Sequence, residues 1–66
     1  MSVMKVIELM AESDKSWEDA TRKAIQKAAQ TVKNIRSAYV KDHSVTIKNG
    51  DIATYRVTLK VTFEVS

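Results

Sequence analysis

Residues 52–66 read IATYRVTLKVTFEVS, and from Tyr55 onward apolar and polar side chains alternate without a break. Because successive side chains of a β-strand point to opposite faces, this alternation predicts one long strand with an apolar and a polar face. At about 3.3 Å per residue such a strand spans about 45–50 Å, more than twice the common length. A strand of this length must bend around another element or run past the edge of its own subunit.

The residues before this strand predict a β-hairpin. Asn49-Gly50 is a strong signal for a two-residue turn, because a type I′ turn needs positive φ at both positions. A second strand is predicted over Arg36–Lys48, so that Lys48 pairs with Asp51 across the turn. The pairs that follow from this register on the polar face are His43 with Arg56, Tyr39 with Lys60, and Ser37 with Thr62.

The same register has one conflict, which lies in the middle of the second strand. It places the carboxylate of Asp42 opposite Val57 on the apolar face. A charged group is costly on a buried face. The conflict therefore predicts a β-bulge or a subunit boundary at this point.

The middle of the chain has the pattern of an amphipathic helix. Ser16 opens it with a capping pattern that places Glu18 and Asp19 in the first turn, where the helix dipole favours acids. Apolar residues then recur at spacings of three and four from Trp17 onward. We place the end of the helix at Asn34, which gives about 19 residues and a length of about 28 Å.

A first strand is predicted ahead of this helix, over Ser2–Met10, with residues 12–15 as a loop. The predicted order is therefore β-α-β-β, an α+β fold in which a three-stranded antiparallel sheet wraps around one helix. The helix is shorter than the last strand, so part of the sheet stays uncovered. Neighbouring copies of the chain are expected to bury that part, because exposed sheet edges and faces favour association.

Length and composition also favour association of several copies of the chain. A chain of 66 residues has a marginal core and usually relies on disulfides, a structural metal or oligomerisation. It contains no Cys and only one His, which excludes disulfides and multi-His or thiolate zinc sites. The net charge of +3 is spread along the chain, and no apolar run approaches the roughly 20 residues of a membrane span. We predict one domain over residues 1–66, cytoplasmic, with no nucleic-acid or membrane partner.

The whole pattern resembles the dodecin family. The resemblance rests on the short first strand, the helix opening near Ser16, the segment AAQTV at residues 28–32, the hairpin, and the run YRVTLKVTF at residues 55–63. It implies a hollow homododecamer with cubic symmetry, built from trimers. It also implies a small-molecule ligand, with flavin (FMN or riboflavin) bound and stored rather than chemically transformed, so the protein would not be an enzyme.

The resemblance also indicates where a ligand would bind. In dodecins a Trp at the start of the second strand stacks on the flavin ring, and a Gln on the third strand hydrogen-bonds to it. The matching positions here are Ser37, which cannot stack, and Arg56, which donates hydrogen bonds but does not accept them. Tyr39 offers a smaller ring on the same face. The sequence is closer to a branch without the flavin pair, for which the alternative ligand is a cation, Ca²⁺ or Mg²⁺.

Two polar groups have both a functional and a structural interpretation. His43 and Arg56 would grip an anion, or form an ordinary cross-strand polar pair, which is the interpretation we favour. Carboxylate oxygens near the helix start suit Ca²⁺ or Mg²⁺, but acids also cap helices, and we favour capping. The carboxylates concerned are those of Glu12, Asp14, Glu18 and Asp19.

No catalytic constellation is visible in the sequence. The single His has no Ser or Cys partner pattern, so no nucleophilic triad is predicted. Trp17 and the alanines of the helix are assigned to the core rather than to a cofactor site. The function predicted from the sequence is therefore binding or sequestration in a shell.

Overall fold

A computed structural model describes residues 3–65 of the chain and has the predicted β-α-β-β order. The sheet is antiparallel, with strand order β1-β3-β2, so the last strand is central. The outermost residues of two predicted strands, Ser2 and Ser66, lie outside the described residues. The elements are β1 (Val3–Ser13), α1 (Trp17–Ala28), β2 (Ile35–Lys48) and β3 (Asp51–Val65).

The core lies between α1 and the middle of β3. Val57, Leu59 and Val61 are at most 1 % exposed and pack against Ala20 and Ala24 of the helix. Alanine side chains let the helix lie close to the sheet but bury little apolar area, and burial of such area is what stabilises a fold. The alternating residues of β3 therefore face the helix as predicted, over a short distance only.

Helix α1 begins as predicted and ends earlier than predicted. The Ser16 hydroxyl accepts a hydrogen bond from the Asp19 backbone N–H at 2.9 Å, which confirms the cap. The helix spans 12 residues and stops at Ala28, so the end predicted at Asn34 was wrong. Asn34 instead has a positive φ of 64° and belongs to the link into β2, which begins at Ile35.

The correction at the helix end has a local cause. After Ala28 the chain turns, and the Val32 backbone N–H donates to the Ala28 carbonyl at 2.8 Å. Thr31 and Val32 are β-branched and favour extended backbone over helix. Ile35 then contributes to the core from β2 rather than from the helix. The helical spacing of the apolar residues simply continued past the true end.

Strand β1 is longer than predicted, because it includes Glu12 and Ser13, which had been placed in a loop. It pairs with β3 along its whole length, from Val3 with Val65 to Ser13 with Tyr55. Ser13 is buried. Its hydroxyl donates to the Asp19 carboxylate at 2.6 Å and accepts from the Lys15 backbone N–H at 2.9 Å. This contact ties the end of β1 to the first turn of the helix.

The hairpin turn is confirmed, and the register beyond it is interrupted. Asn49 and Gly50 have φ of 54° and 80°, as a type I′ turn requires, and Lys48 pairs with Asp51. Three irregularities follow along β2 and β3. One extra residue lies on β3 at Ala53, and extra residues lie on β2 at Lys41 and Arg36.

The bulges at Ala53 and Lys41 shift the register in opposite directions, so their effects cancel. Between them the pairing shifts by one residue, so Ser44 pairs with Arg56, and the predicted pair of His43 with Arg56 was wrong. Beyond Lys41 the predicted pairs of Tyr39 with Lys60 and Ser37 with Thr62 are confirmed. The predicted mid-strand bulge is confirmed at Lys41, and the register shift between Ala53 and Lys41 sets Asp42 opposite Thr58 instead of Val57.

The subunit is too extended for its size. Its dimensions are 51 × 20 × 13 Å and its radius of gyration is 13.5 Å, against about 10.8 Å for a compact domain of this length. Its accessible surface is 4934 Å², against about 4,200 Å² for a typical monomer of this mass. Over residues 3–65 no helix is long and apolar enough to cross a membrane.

Candidate functional site on the sheet face opposite the helix

We call the sheet surface opposite α1 the helix-free face. Since Val57, Leu59 and Val61 face the helix, the residues between them on β3 lie on this face. It therefore carries the central side chains Arg56, Thr58, Lys60 and Thr62. Both positions that the resemblance assigns to the flavin pair, Ser37 and Arg56, lie on it.

Ser37 and Tyr39 lie on the helix-free face as predicted. They pair with Thr62 and Lys60 of β3. Tyr39 is 66 % exposed and has no ring partner among the described residues, so its ring is available to a ligand or to another copy. Ser37 presents only a small hydroxyl. One phenol ring is therefore the aromatic surface that this part of the face offers.

Arg56 is held by Glu12, which the sequence predicts in a loop. Its Nε donates to Glu12 Oε1 at 2.6 Å, because Glu12 pairs directly with Arg56 across β1 and β3. The Thr54 hydroxyl donates to the same carboxylate oxygen at 3.3 Å. Placing Glu12 in a loop hid this contact. Extending β1 by three residues in the sequence would have placed Glu12 on the same face as Glu8 and Met10, but it would not have identified Arg56 as its partner.

The Arg56 guanidinium changes the chemistry of its partner. Its hydrogen bond and positive charge hold the pKa of Glu12 below the usual glutamate value of 4.5, and the Thr54 hydroxyl adds to the effect. Glu12 therefore stays ionised at neutral pH and fixes the guanidinium by its Nε edge. An Arg held in this way is a donor in a defined orientation, and it does not supply the acceptor that an amide would.

Two further ion pairs connect residues of different strands. Lys41, on its bulge, lies 3.6 Å from the carboxylate of Glu8 on β1. Arg36, on the next bulge, donates to Glu64 from two nitrogens at 2.9 and 3.1 Å. Each bulge on β2 thus directs a cation to an acid on another strand. These pairs are exposed, so each contributes little to stability by itself.

His43 lies away from the helix-free face. It pairs with Val57, whose side chain is buried under the helix, and its ring packs edge-on against Trp17 with centroids 4.9 Å apart. Trp17 also contacts Tyr55 at 5.2 Å and donates from Nε1 to the Ser44 carbonyl at 2.9 Å. The grip of His43 and Arg56 on one anion is therefore wrong, because the bulge at Ala53 turns them to opposite faces.

Two of the acids at the helix start, Asp19 and Glu18, form hydrogen bonds or ion pairs with neighbouring side chains. Asp19 accepts from the Ser13 hydroxyl and lies 3.1 Å from the Lys23 ammonium, and these contacts lower the pKa of Asp19 from its usual value. Glu18 lies 3.4 Å from Arg22. Within residues 3–65 no three His, Asp or Glu side chains come together as a metal would require. The described residues of a single subunit therefore do not bring together the carboxylates for a Ca²⁺ or Mg²⁺ ion.

The helix-free face does not fit the stacked flavin either. By the resemblance, a stacked flavin would need an aromatic plane at the position of Ser37, which has none. It also needs a group that can donate and accept at the position of Arg56, where a donor-only side chain is held by Glu12. Tyr39 is the nearest aromatic on the same strand. Flavin bound in the family's manner would lose both of its specific contacts.

Residues 3–65 form a short helix over a three-stranded sheet whose opposite face is uncovered, which is a small two-layer α+β fold. The chain belongs to the dodecin family: the family model described as Dodecin matches residues 3–66. This confirms the resemblance drawn from the sequence.

Individual relatives agree on the fold, and one of them is named for calcium. The chain is 39 % identical over 64 residues to the calcium dodecin of Mycobacterium tuberculosis, covering 97 % of this chain and 90 % of that one. A crystal structure of that calcium dodecin, described as having a novel calcium-binding site, superposes with a TM-score of 0.86, covering 98 % and 93 % of the two chains. The dodecin of Streptomyces coelicolor is 26 % identical, with a TM-score of 0.95 over 98 % and 93 % of the chains.

Proposed function

We propose that this protein is a non-enzymatic binding and storage protein that works as a hollow shell of twelve copies built from trimers. Residues 1–66 would act as one dodecin-like domain. The small-molecule ligand would be held where copies meet, and neither nucleic acid nor a membrane is a partner in this proposal. The cytoplasmic location remains a prediction from the sequence, which cell fractionation tests.

The observation that carries the proposal is the incomplete core of one subunit. Among the described residues, the buried apolar side chains are three alanines of α1 and three residues of β3. Large apolar side chains stay on the surface, including Met4, Val6 and Met10 along one side of β1. So much exposed apolar surface on so small a chain is typical of a subunit that associates.

Native mass spectrometry and light scattering test the assembly. We expect a species of twelve subunits at micromolar concentration. A stable monomer would overturn the shell. A trimer as the final state would retain the family fold and overturn the higher symmetry, because the trimer is the proposed building block.

For the ligand, we propose that the wild-type protein binds flavin weakly. Stacking contributes about 0.5–1.5 kcal/mol beyond area burial, and the amide contact is lost as well. Together the two substitutions weaken binding by about 3 kcal/mol, or about a hundredfold.

Riboflavin titration tests this, with quenching of flavin fluorescence as the readout. The double variant Ser37→Trp with Arg56→Gln is expected to regain binding and quenching, since a Gln amide still donates to Glu12. Each single variant serves as a control for the other position. Nanomolar binding by the wild type would contradict our interpretation of Ser37 and Arg56. No gain in the double variant would mean that the likeness to flavin-binding dodecins ends at the fold.

The second candidate ligand is Ca²⁺, with Mg²⁺ as its competitor, and the 39 % identical calcium dodecin favours it. Because one subunit does not assemble the carboxylates, the ion would be shared between copies. Asp42 is a suitable donor: it lies on the helix-free face opposite Thr58, and no ion-pair partner for it occurs within residues 3–65. Carboxylate oxygens are the ligands that both ions prefer.

Calorimetric titration of dialysed protein with each ion tests the second candidate. We expect Ca²⁺ binding by the assembled protein that is reduced at least tenfold by Asp42→Asn. Asp51→Asn, at the hairpin turn, is the matched control. Equal binding by both variants and the wild type would remove Asp42 from the site, and no calcium binding by the assembled wild type would remove the candidate.

A further inference from the structure

A concave site lies on the side of the sheet that carries the helix, between α1 and the edge of β1. Its volume is about 400 Å³, within the range of small-molecule sites. We call it the helix–β1 groove. Its lining includes Leu9, Ala11, Lys23, Ala24, Lys27 and Ala28, and Gln30 and Thr31 close one end.

The groove exists because the helix presents small side chains to an edge strand. Strand β1 pairs only with β3, so its other edge is not covered by a strand of the same subunit. Ala24 and Ala28 face this region with one methyl group each, where larger side chains would fill the gap. The floor is apolar, with Leu9 and Ala11 packed against the core from β1. A ligand in the groove would therefore bury an apolar body.

The charge around the groove has one sign. The charged residues of its lining are Lys23 and Lys27, and no acid takes part in the lining. The Lys23 ammonium lies 3.1 Å from the Asp19 carboxylate, whereas Lys27 forms no ion pair within the described residues. The helix carbonyls nearby accept hydrogen bonds from the turn that follows, Ala29 to Ile25 and Val32 to Ala28, so they are occupied. A ligand with a negative head is thus complementary to this rim.

We propose that the helix–β1 groove binds a small anionic amphiphile, meaning a compact aliphatic or aromatic body that carries a carboxylate or sulfonate. The body would lie on Leu9, Ala11 and Ala24, and the head would lie beside Lys27. This site is separate from the helix-free face, so it depends neither on flavin nor on calcium. It does require that the groove stays open in the assembled protein.

Titration of the full-length assembled protein with anilinonaphthalene sulfonate, a fluorescent anionic apolar probe, tests the proposal, and decanoate serves as the competitor. We expect saturable fluorescence that decanoate displaces and that the uncharged decanol displaces less well. Lys27→Gln should weaken the probe about two- to fivefold, the size of one exposed charge interaction. Lys48→Gln removes the same charge at the hairpin and should leave binding unchanged.

A second variant separates the groove from other apolar surface. Thr31 is exposed at the end of the groove, so Thr31→Trp should block it without entering the core, and binding should fall at least tenfold. Equal loss in Lys27→Gln and Lys48→Gln would overturn the proposal, because it would show general charge attraction. Unchanged binding in Thr31→Trp would place the probe elsewhere. No saturable binding by the wild-type assembly would mean that another copy covers the groove, which also overturns the proposal.

Discussion

The middle of β3 and its far end have the same sequence pattern and opposite environments. Val57, Leu59 and Val61 are at most 1 % exposed, whereas Val65 is 45 % exposed. All four positions have the same parity along the strand and belong to one alternating apolar set. The difference lies in what covers them. Helix α1, with 12 residues, is about 18 Å long, against about 50 Å for the strand.

An alternating sequence determines the face on which a side chain lies, but not what covers that face. Alternation specifies which side chains share a face, and it does so along the whole of β3. It does not specify whether the helix, another copy or water covers a given position. In this chain the uncovered apolar positions are the ones that other copies would cover in the proposed assembly.

The largest expected effect on stability comes from making the same change, Val to Ala, in each of these two environments. Val61→Ala removes two buried methyl groups under the helix and should lower the free energy of unfolding by about 2 kcal/mol. Val65→Ala removes the same groups at the exposed end and should cost less than about 0.5 kcal/mol. Urea unfolding at one protein concentration measures both. Equal losses would show that the assembly buries Val65 as completely as the helix buries Val61.

An effect of similar size is expected at the turn that joins β2 and β3. Gly50 has a φ of 80°, and nothing lies within 4 Å of a Cβ built there, so a substitution meets backbone strain rather than a clash. We expect Gly50→Val to lower stability by about 1–3 kcal/mol, because β-branched residues disfavour this conformation. Gly50→Asn is the control and should cost less, since Asn tolerates positive φ. Thermal unfolding that is identical for all three proteins would contradict the turn type.

A smaller effect is expected at the start of the helix. Ser16→Ala removes the hydroxyl that accepts from the Asp19 N–H and should cost about 1 kcal/mol. Ser44→Ala is a suitable control, because the Trp17 indole bonds to its backbone carbonyl and not to its side chain. Chemical denaturation of both variants would check this. A larger loss in Ser44→Ala than in Ser16→Ala would argue against the cap.

The smallest effect is a dependence of stability on acid pH. Contacts with Arg56 and with Ser13 lower the folded-state pKa values of Glu12 and Asp19, respectively. The unfolded chain then binds protons first, so the stabilisation is complete above about pH 4.5. It is lost as the pH falls through the lowered folded-state values. Glu12→Gln with Asp19→Asn should flatten this acid limb in urea unfolding curves measured from neutral pH downward. If the fall in stability at acid pH were unchanged in this variant, it would be due to other carboxylates.

Most of the fold follows from local patterns, and the errors have local causes. The strands, the Asn49-Gly50 turn and the Ser16 cap are fixed by alternation, by positive φ and by a hydroxyl. The helix end at Asn34 was missed because Val32 and Ile35 kept the helical spacing after the backbone had turned.

The candidate site was harder to predict because it depends on register. Ser37 and Tyr39 were placed correctly, since two bulges of opposite effect lie between them and the turn. His43 lies between those bulges, so it was placed on the wrong face. Glu12 was missed as the partner of Arg56 because β1 pairs with β3 over more than forty residues of intervening chain, as the contact separation of 44 shows. Local patterns carry no signal for such a pairing.

The central position of β3 also has a consequence for how the chain is made. Of the four elements, β3 comes last in the chain, and both β1 and β2 pair with it and not with each other. During synthesis, β1 and β2 therefore have no sheet to join, and α1 has no apolar face to cover, until residues 51–65 have been added. Folding on the ribosome cannot proceed in stages from the first strand, as it does in chains of local contacts. The three-stranded sheet can therefore form only after β3 has been synthesised.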